Sequence, residues 1–241
     1  MSVAIPMVNA PYLNIQGLQL SFNSTTLLNV SAGQARNSTN VNDLIIGSPV
    51  TINTAVQGAG GIDVGTIAAS TVYSVYAIAS SLDTTLASAC LSLSATAPTL
   101  PLGYDMFRRI GTILTDGASH ILKFTQTGNG AGRKFWYDAG IQVLNAGASA
   151  AFADVALSAY MPAIATVVTL NAVLTPTGNG DTATVQPKGA TDAGGYVVIG
   201  GSQAAVAFRA MIDVPCSSAA IVDYKVTGTL TLYLRAYVDN L

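Results

Sequence analysis

The stretch "YKVTGTLTLYLRAYV", residues 224–238, decides the class of fold. Leu230, Leu232 and Leu234 alternate with Thr229, Thr231, Tyr233 and Arg235. A period of two sets the leucines on one face of an extended chain and the other four residues on the opposite face. A helix does not gather such a set on one side. The stretch is therefore expected to be one half-buried strand.

Working outward, the same grammar recurs. "CLSLSAT" (90–96) sets Leu91 and Leu93 against Ser92 and Ser94. "STVYSVYAIAS" (70–80) is largely apolar on both faces, as in a strand buried on both sides or packed at an interface. "RRIGTILT" (108–115) runs into Asp116-Gly117, a hairpin signal, with "HILKFTQT" (120–127) as the expected returning strand. "TVVTLNAVLT" (166–175), "GYVVIGG" (195–201) and "AAVAFRAMIDVP" (204–215) supply further strands. "SAAFADVALSAY" (149–160) spaces Phe152, Val155, Ala156, Ala159 and Tyr160 like a helix. So short a run does not settle the matter by periodicity, and strand is the reading preferred. "TQTGNG" (125–130) and "TPTGNG" (175–180) share turn chemistry without making a repeat architecture.

Composition agrees. All twelve acidic residues are Asp, and there is no Glu. Asp favours turns and caps, whereas Glu favours helices. Only 9% of residues are charged and net charge is −2, so no bulk attraction to nucleic acid or anionic lipid is expected. No basic n-region opens the chain, so no secretory signal is expected. The charge-free stretch Val155–Gly180 is interrupted by Pro162, Asn171 and Pro176, and no apolar run approaches the roughly 20 residues of a spanning helix. Cys90 and Cys216 lie far apart with no CxxC, and are read as free, small buried hydrophobes.

The expected architecture is all-β: antiparallel, jelly-roll-like β-sandwich modules with an extended N-terminal arm. Residues 1–25 form the arm, 26–145 a first module and 146–241 a second. The first 35 residues carry no charge, so the arm is expected to be ordered against something, with a neighbouring subunit the favoured partner.

Three segments carry a resemblance: "GTIAASTVYSVYAI" (65–78), "LSLSATAPTLPLGYDMFRRIGTILTDGASHILKFTQ" (91–126) and "KFWYD" (134–138). Together they resemble a module of tailed-bacteriophage virion proteins, found in tail-fibre and head-associated proteins. "LLNVSAGQARNSTNVNDLII" (27–46) is similar to the segment that precedes that module. The resemblance covers about residues 26–138 and implies a structural role in a virion, assembled in the cytoplasm of a bacterial host. It implies no catalytic site.

Candidate chemistry is sparse. A Ser-His-Asp triad would have to use His120, the single histidine, and no GxSxG elbow is present. The Asp residues mostly sit beside turns, which accounts for them without a carboxylate pair. "GAGG" (58–61) precedes a strand-like segment and is read as a turn, not a phosphate loop. No catalytic residue, cofactor site or metal site is therefore expected, although a surface Ca²⁺ held by loop Asp and carbonyls stays open. "GRKFWYD" (132–138) is the densest basic-aromatic stretch. It suits an interface or the closing edge of a core, with contact to a glycan or a nucleic acid as weaker alternatives. Candidate interface residues are Trp136, Tyr137, Arg133, Lys134, Tyr12 and Phe22. Arg108 and Arg109 are expected to diverge to opposite faces of a strand, one facing solvent or a partner. The other is expected under a loop, paired with Asp105 or Asp138.

The leading functional expectation is a head decoration or cement protein that stabilises a capsid. Its partners would be itself, as a trimer, and the major capsid protein or other virion proteins, with no nucleic acid or membrane. The alternative is a receptor- or glycan-binding module on a tail or head fibre.

Overall fold

The computed structural model describes residues 14–83, 85–191, 197–201 and 203–241, and for 197 and 198 the backbone alone. Tyr12 and most of the expected arm lie outside them. Every regular element among the described residues is a strand, and the sheet pairings are antiparallel. The chain divides into two compact units. Unit 1 runs to Arg133 and includes Leu241, and unit 2 is Lys134–Asn240.

Unit 1 contains β1 (Ile15–Gly17), β2 (Leu20–Phe22), β3 (Leu27–Val30), β4 (Gly33–Arg36), β5 (Asp43–Ile46), β6 (Val50–Asn53), β7 (Val72–Ala79), β8 (Ala87–Ser92), β9 (Met106–Leu114) and β10 (Phe124–Thr127). The first nine form three three-stranded sheets, ordered β1-β4-β5, β2-β3-β6 and β8-β7-β9. Residues 14–25, expected in the arm, are instead part of this unit. Gly17, at φ +65°, lies against Gly33: a Cβ on either would sit under 3.0 Å from the other strand's backbone. That close approach brings β1 and β4 together. β7 is the central strand of its sheet and is buried along nearly its whole length, as its apolar sequence requires. Of the strand expected to return after Asp116-Gly117, residues 124–127 form β10, but its pairing with the chain before the turn is reduced to a single bridge, Thr115 to Ile121, and β9 pairs with β7 instead. Asp116 explains the interruption: its carboxylate accepts the backbone N–H groups of Ala118 and His120 and so closes the loop locally.

Unit 2 contains β11 (Gly132–Gly147, whose first two residues belong to unit 1), β12 (Ala153–Ala156), β13 (Val167–Thr175), β14 (Thr182–Pro187), β15 (Val197–Gly200), β16 (Phe208–Pro215), β17 (Ile221–Val226) and β18 (Thr229–Asn240). One sheet has the order β11-β18-β13-β16 and the other β12-β17-β14-β15. Leu230, Leu232 and Leu234 are fully buried beside the inward residues Val168, Leu170, Ala172 and Leu174 of β13. The stretch 224–238 is not one strand. It ends β17, turns at Thr227-Gly228 and begins β18 in the other sheet. Gly228 stands at φ +92°, where a Cβ would meet Thr175 O at 2.9 Å, so the turn requires glycine. The division between units falls at Arg133/Lys134 inside β11, whereas residue 145, the expected boundary, lies near the end of the same strand.

Candidate functional site

The basic-aromatic segment lies at the start of β11, and the pleat sorts it. Arg133, Phe135 and Tyr137 are buried, while Lys134 and Trp136 are half-buried on the opposite face and Asp138 is exposed. A single interface patch is thereby split in two.

Arg133 is the largest correction. Expected at an interface, it is fully buried in unit 1. Its guanidinium donates through Nη1 to the carbonyls of Leu18 (2.6 Å) and Ile110 (3.0 Å). Nη2 donates to Gly17 O (2.6 Å) and Nε to Gly130 O (3.1 Å). A planar donor fork can satisfy several acceptors at once, which a lysine cannot. The positive φ values of Gly17 and Leu18 belong to the same turn, whose two carbonyls both accept from the guanidinium. Nothing near Arg133 in sequence announces this, because Gly17 and Leu18 are more than a hundred positions away.

Tyr137 is also buried. Its hydroxyl donates to Tyr160 O at 2.6 Å, and burial pushes the phenol well above its ordinary range. Its ring tilts against Tyr237, which stacks on Phe135 at 5.3 Å between centroids. These rings fill the core of unit 2 and do not form an outward patch. On the outer face the Lys134 ammonium lies over the Trp136 ring, 4.4 Å from its centroid, and 3.5 Å from an oxygen of Asp213. Thr169 hydrogen-bonds the same carboxylate. Phe22 is half-buried on β2, in register with Leu28.

Arg108 and Arg109 sit opposite Ala77 and Tyr76 of β7 and so face opposite sides of that sheet. Arg108 is buried and Arg109 half-buried. The carboxylate of Asp105 is held by Ser81, through its backbone N–H at 2.6 Å and through its hydroxyl. These bonds hold the Asp105 carboxyl below the usual carboxylate range, the hydroxyl contributing most. Asp138 is exposed, and its carbonyl accepts from Arg235 Nη2 at 3.5 Å.

A charged cluster escaped the sequence reading. Asp154 of β12 stands directly across from Asp223 of β17. Two like charges so placed repel. Lys188 bonds Asp154 and lies 3.6 Å from Asp223, while the Gly189 N–H donates to Asp223 at 2.9 Å. The hydrogen bond from Lys188 draws Asp154 below the usual range, and Lys188 is raised by the same bond. The three come from separate strands and loops, so no local motif signals them.

Cys90 is buried and Cys216 half-buried, both as free thiols. Burial pushes the Cys90 thiol up to about 12, and Cys216 is raised for the same reason. His120 is half-exposed, with Nδ1 3.6 Å from Asp116 in the loop described above. Among the described residues no three His, Cys or Asp side chains gather as a metal site would require, and no helix is long and apolar enough to cross a membrane. The chain matches no protein-family model and no curated protein.

Proposed function

We propose that this chain is a structural component of a tailed-phage virion, in first place a head decoration protein that stabilises the capsid through copies of itself and through capsid contacts. The observation that carries the reading is the strand order of unit 2. Numbered along the unit, its eight strands fall as 1-8-3-6 and 2-7-4-5. We read this as a jelly roll, an architecture used by viral capsid domains. Three further points support the reading. Residues 26–138 resemble a virion module. The chain is unusually poor in charge, as interface cores are. The polar groups around Arg133 and Lys188 are engaged in holding the fold together. Trimeric assembly at capsid three-fold sites is part of the proposal.

Purified protein added to tailed virions that lack it tests the proposal. Saturable binding, with density over the three-fold sites by cryo-electron microscopy, is the expected result. Density confined to the tail would overturn the decoration role. Deletion of residues 1–13 tests the arm separately. The cut stops short of Gly17 and Leu18, whose carbonyls Arg133 needs.

Jelly rolls also serve as lectin domains. Trp136 keeps part of its ring on an outer sheet face beside Lys134. That observation favours a second reading, a glycan-binding module. Loss of cell binding in Trp136→Ala, with the fold intact, would select it.

A further inference from the structure

We propose that β16 is a self-pairing edge, through which two copies of this chain join in a continuous antiparallel sheet about a two-fold axis. Among the described residues β16 ends its sheet, with β13 as its one hydrogen-bonded neighbour in the strand order. Such an edge presents backbone donors and acceptors able to accept another strand. Natural edges are commonly shielded by lysine, an internal proline or a bulge. β16 is eight residues long with proline only at its end, and its pairing to β13 runs from Leu174↔Phe208 to Val167↔Pro215 with no break in register. Phe208 and Met211 on this strand, and Val206 just before it, are about half-exposed.

The occupant follows from register and charge. Arg209, Met211 and Asp213 share the outer face, opposite Val173, Asn171 and Thr169 of β13. All three are exposed. A two-fold axis perpendicular to the sheet keeps outer faces together and must pass through a residue paired with itself. Centred on Met211, it sets Arg209 opposite the partner's Asp213 and Asp213 opposite the partner's Arg209. Centring on Arg209 or Asp213 would set like charges against each other. Centring on Ala210 or Ile212 leaves both charges without an opposite. Only the Met211 register makes two ion pairs from one strand. The same register lays Phe208 beside the partner's Val214 and Ala210 beside its Ile212, so the inner apolar face continues across the junction. Asp213 retains 59% side-chain exposure beside Lys134, which leaves room for a second cation.

The contact specifies one mode of the self-association proposed above and rests on that reading to this extent. It is not a three-fold contact, so within a capsid it would link copies belonging to different trimers.

Sedimentation equilibrium of the full chain, at low and physiological salt, tests it. The expected result is a reversible dimer that weakens with salt. Arg209→Asp and Asp213→Arg each set like charges opposite and are expected to weaken the dimer at least tenfold. Combining them restores the opposite pairing and is expected to restore association. Thermal melting of each variant checks the fold. Met211→Cys supplies an independent readout, because the register sets each new thiol against its own copy and mild oxidation should yield a covalent dimer. Failure of the double variant to recover, or of the thiol to cross-link, overturns the register. A wild-type chain that stays monomeric at high concentration overturns the contact. If such a monomer still decorates heads, the virion reading survives without it.

Discussion

Unit 1 holds its first nine strands in three separate three-stranded sheets and reaches nine residues only in β9, whereas unit 2 spreads eight strands over two sheets and includes most of the sixteen-residue β11 as well as the twelve-residue β18. The difference shows in what closes each core. Unit 2 relies on alternation, the leucines of β18 packing beside the inward face of β13. Both units also bond polar side chains to loop backbone, Tyr137 and Asp223 among them in unit 2, and unit 1 concentrates four such bonds on a single side chain. Arg133 reaches four carbonyls. Thr115 donates to Ala68 O and accepts from the Thr71 N–H. Asn37 accepts from the N–H groups of Val41 and Asn42. Short strands bury too little apolar surface to define a fold alone, and directional bonds supply the missing specification.

The comparison breaks first at Arg133. Arg133→Met keeps the apolar stem but orphans four carbonyls, and should cost unit 1 about 3–5 kcal/mol. Chemical denaturation should then show unit 1 unfolding well before unit 2. A cost below about 1 kcal/mol would mean that the guanidinium is incidental. The counterpart in unit 2 is Leu232→Ala, a purely apolar deletion, expected to cost about 2–4 kcal/mol and to lower the transition of unit 2 alone. Tyr137→Phe sharpens the contrast. It removes one hydrogen bond to Tyr160 from an otherwise intact aromatic core, and about 1–2 kcal/mol is expected.

Acid should bear on both units. Asp83, Asp105 and Asp116 in unit 1, and Asp154 and Asp181 in unit 2, are all held below their ordinary value of 3.8 by hydrogen bonds. A depressed carboxylate stabilises the fold above its unfolded value and loses that contribution as pH falls through its folded value. Melting temperature should therefore be flat from pH 5 to neutrality on this account and should fall below about pH 4. The smallest effect is kinetic. Each unit carries one free cysteine, Cys90 in unit 1 and Cys216 in unit 2. Both should resist a thiol reagent at pH 8 in the folded state, Cys90 the more strongly. In Arg133→Met, Cys90 should become the faster to label.

Local rules reached much of this fold. The alternation at 230–234, the doubly apolar β7 and the divergence of Arg108 and Arg109 all follow from a period of two and needed no partner to be known. The same rule applied to "GRKFWYD" separates Arg133, Phe135 and Tyr137 from Lys134 and Trp136. It does not say which face is inner, and that depends on chain more than a hundred residues distant. The break at Gly228 was also hidden, because apolar alternation continues on both sides of it. The Lys188 cluster was invisible for the same reason as the Arg133 cradle: its members meet only after the sheets are ordered.

One last feature concerns the points at which unit 2 leaves and rejoins unit 1. The chain passes from Arg133 into unit 2 and returns at Leu241, whose N–H donates to Ala131 O at 2.9 Å. Start and finish of the whole 107-residue excursion, Lys134–Asn240, are thus near neighbours. In genetic terms unit 2 has the end geometry of a cassette: a segment put in its place would have to present two ends similarly close.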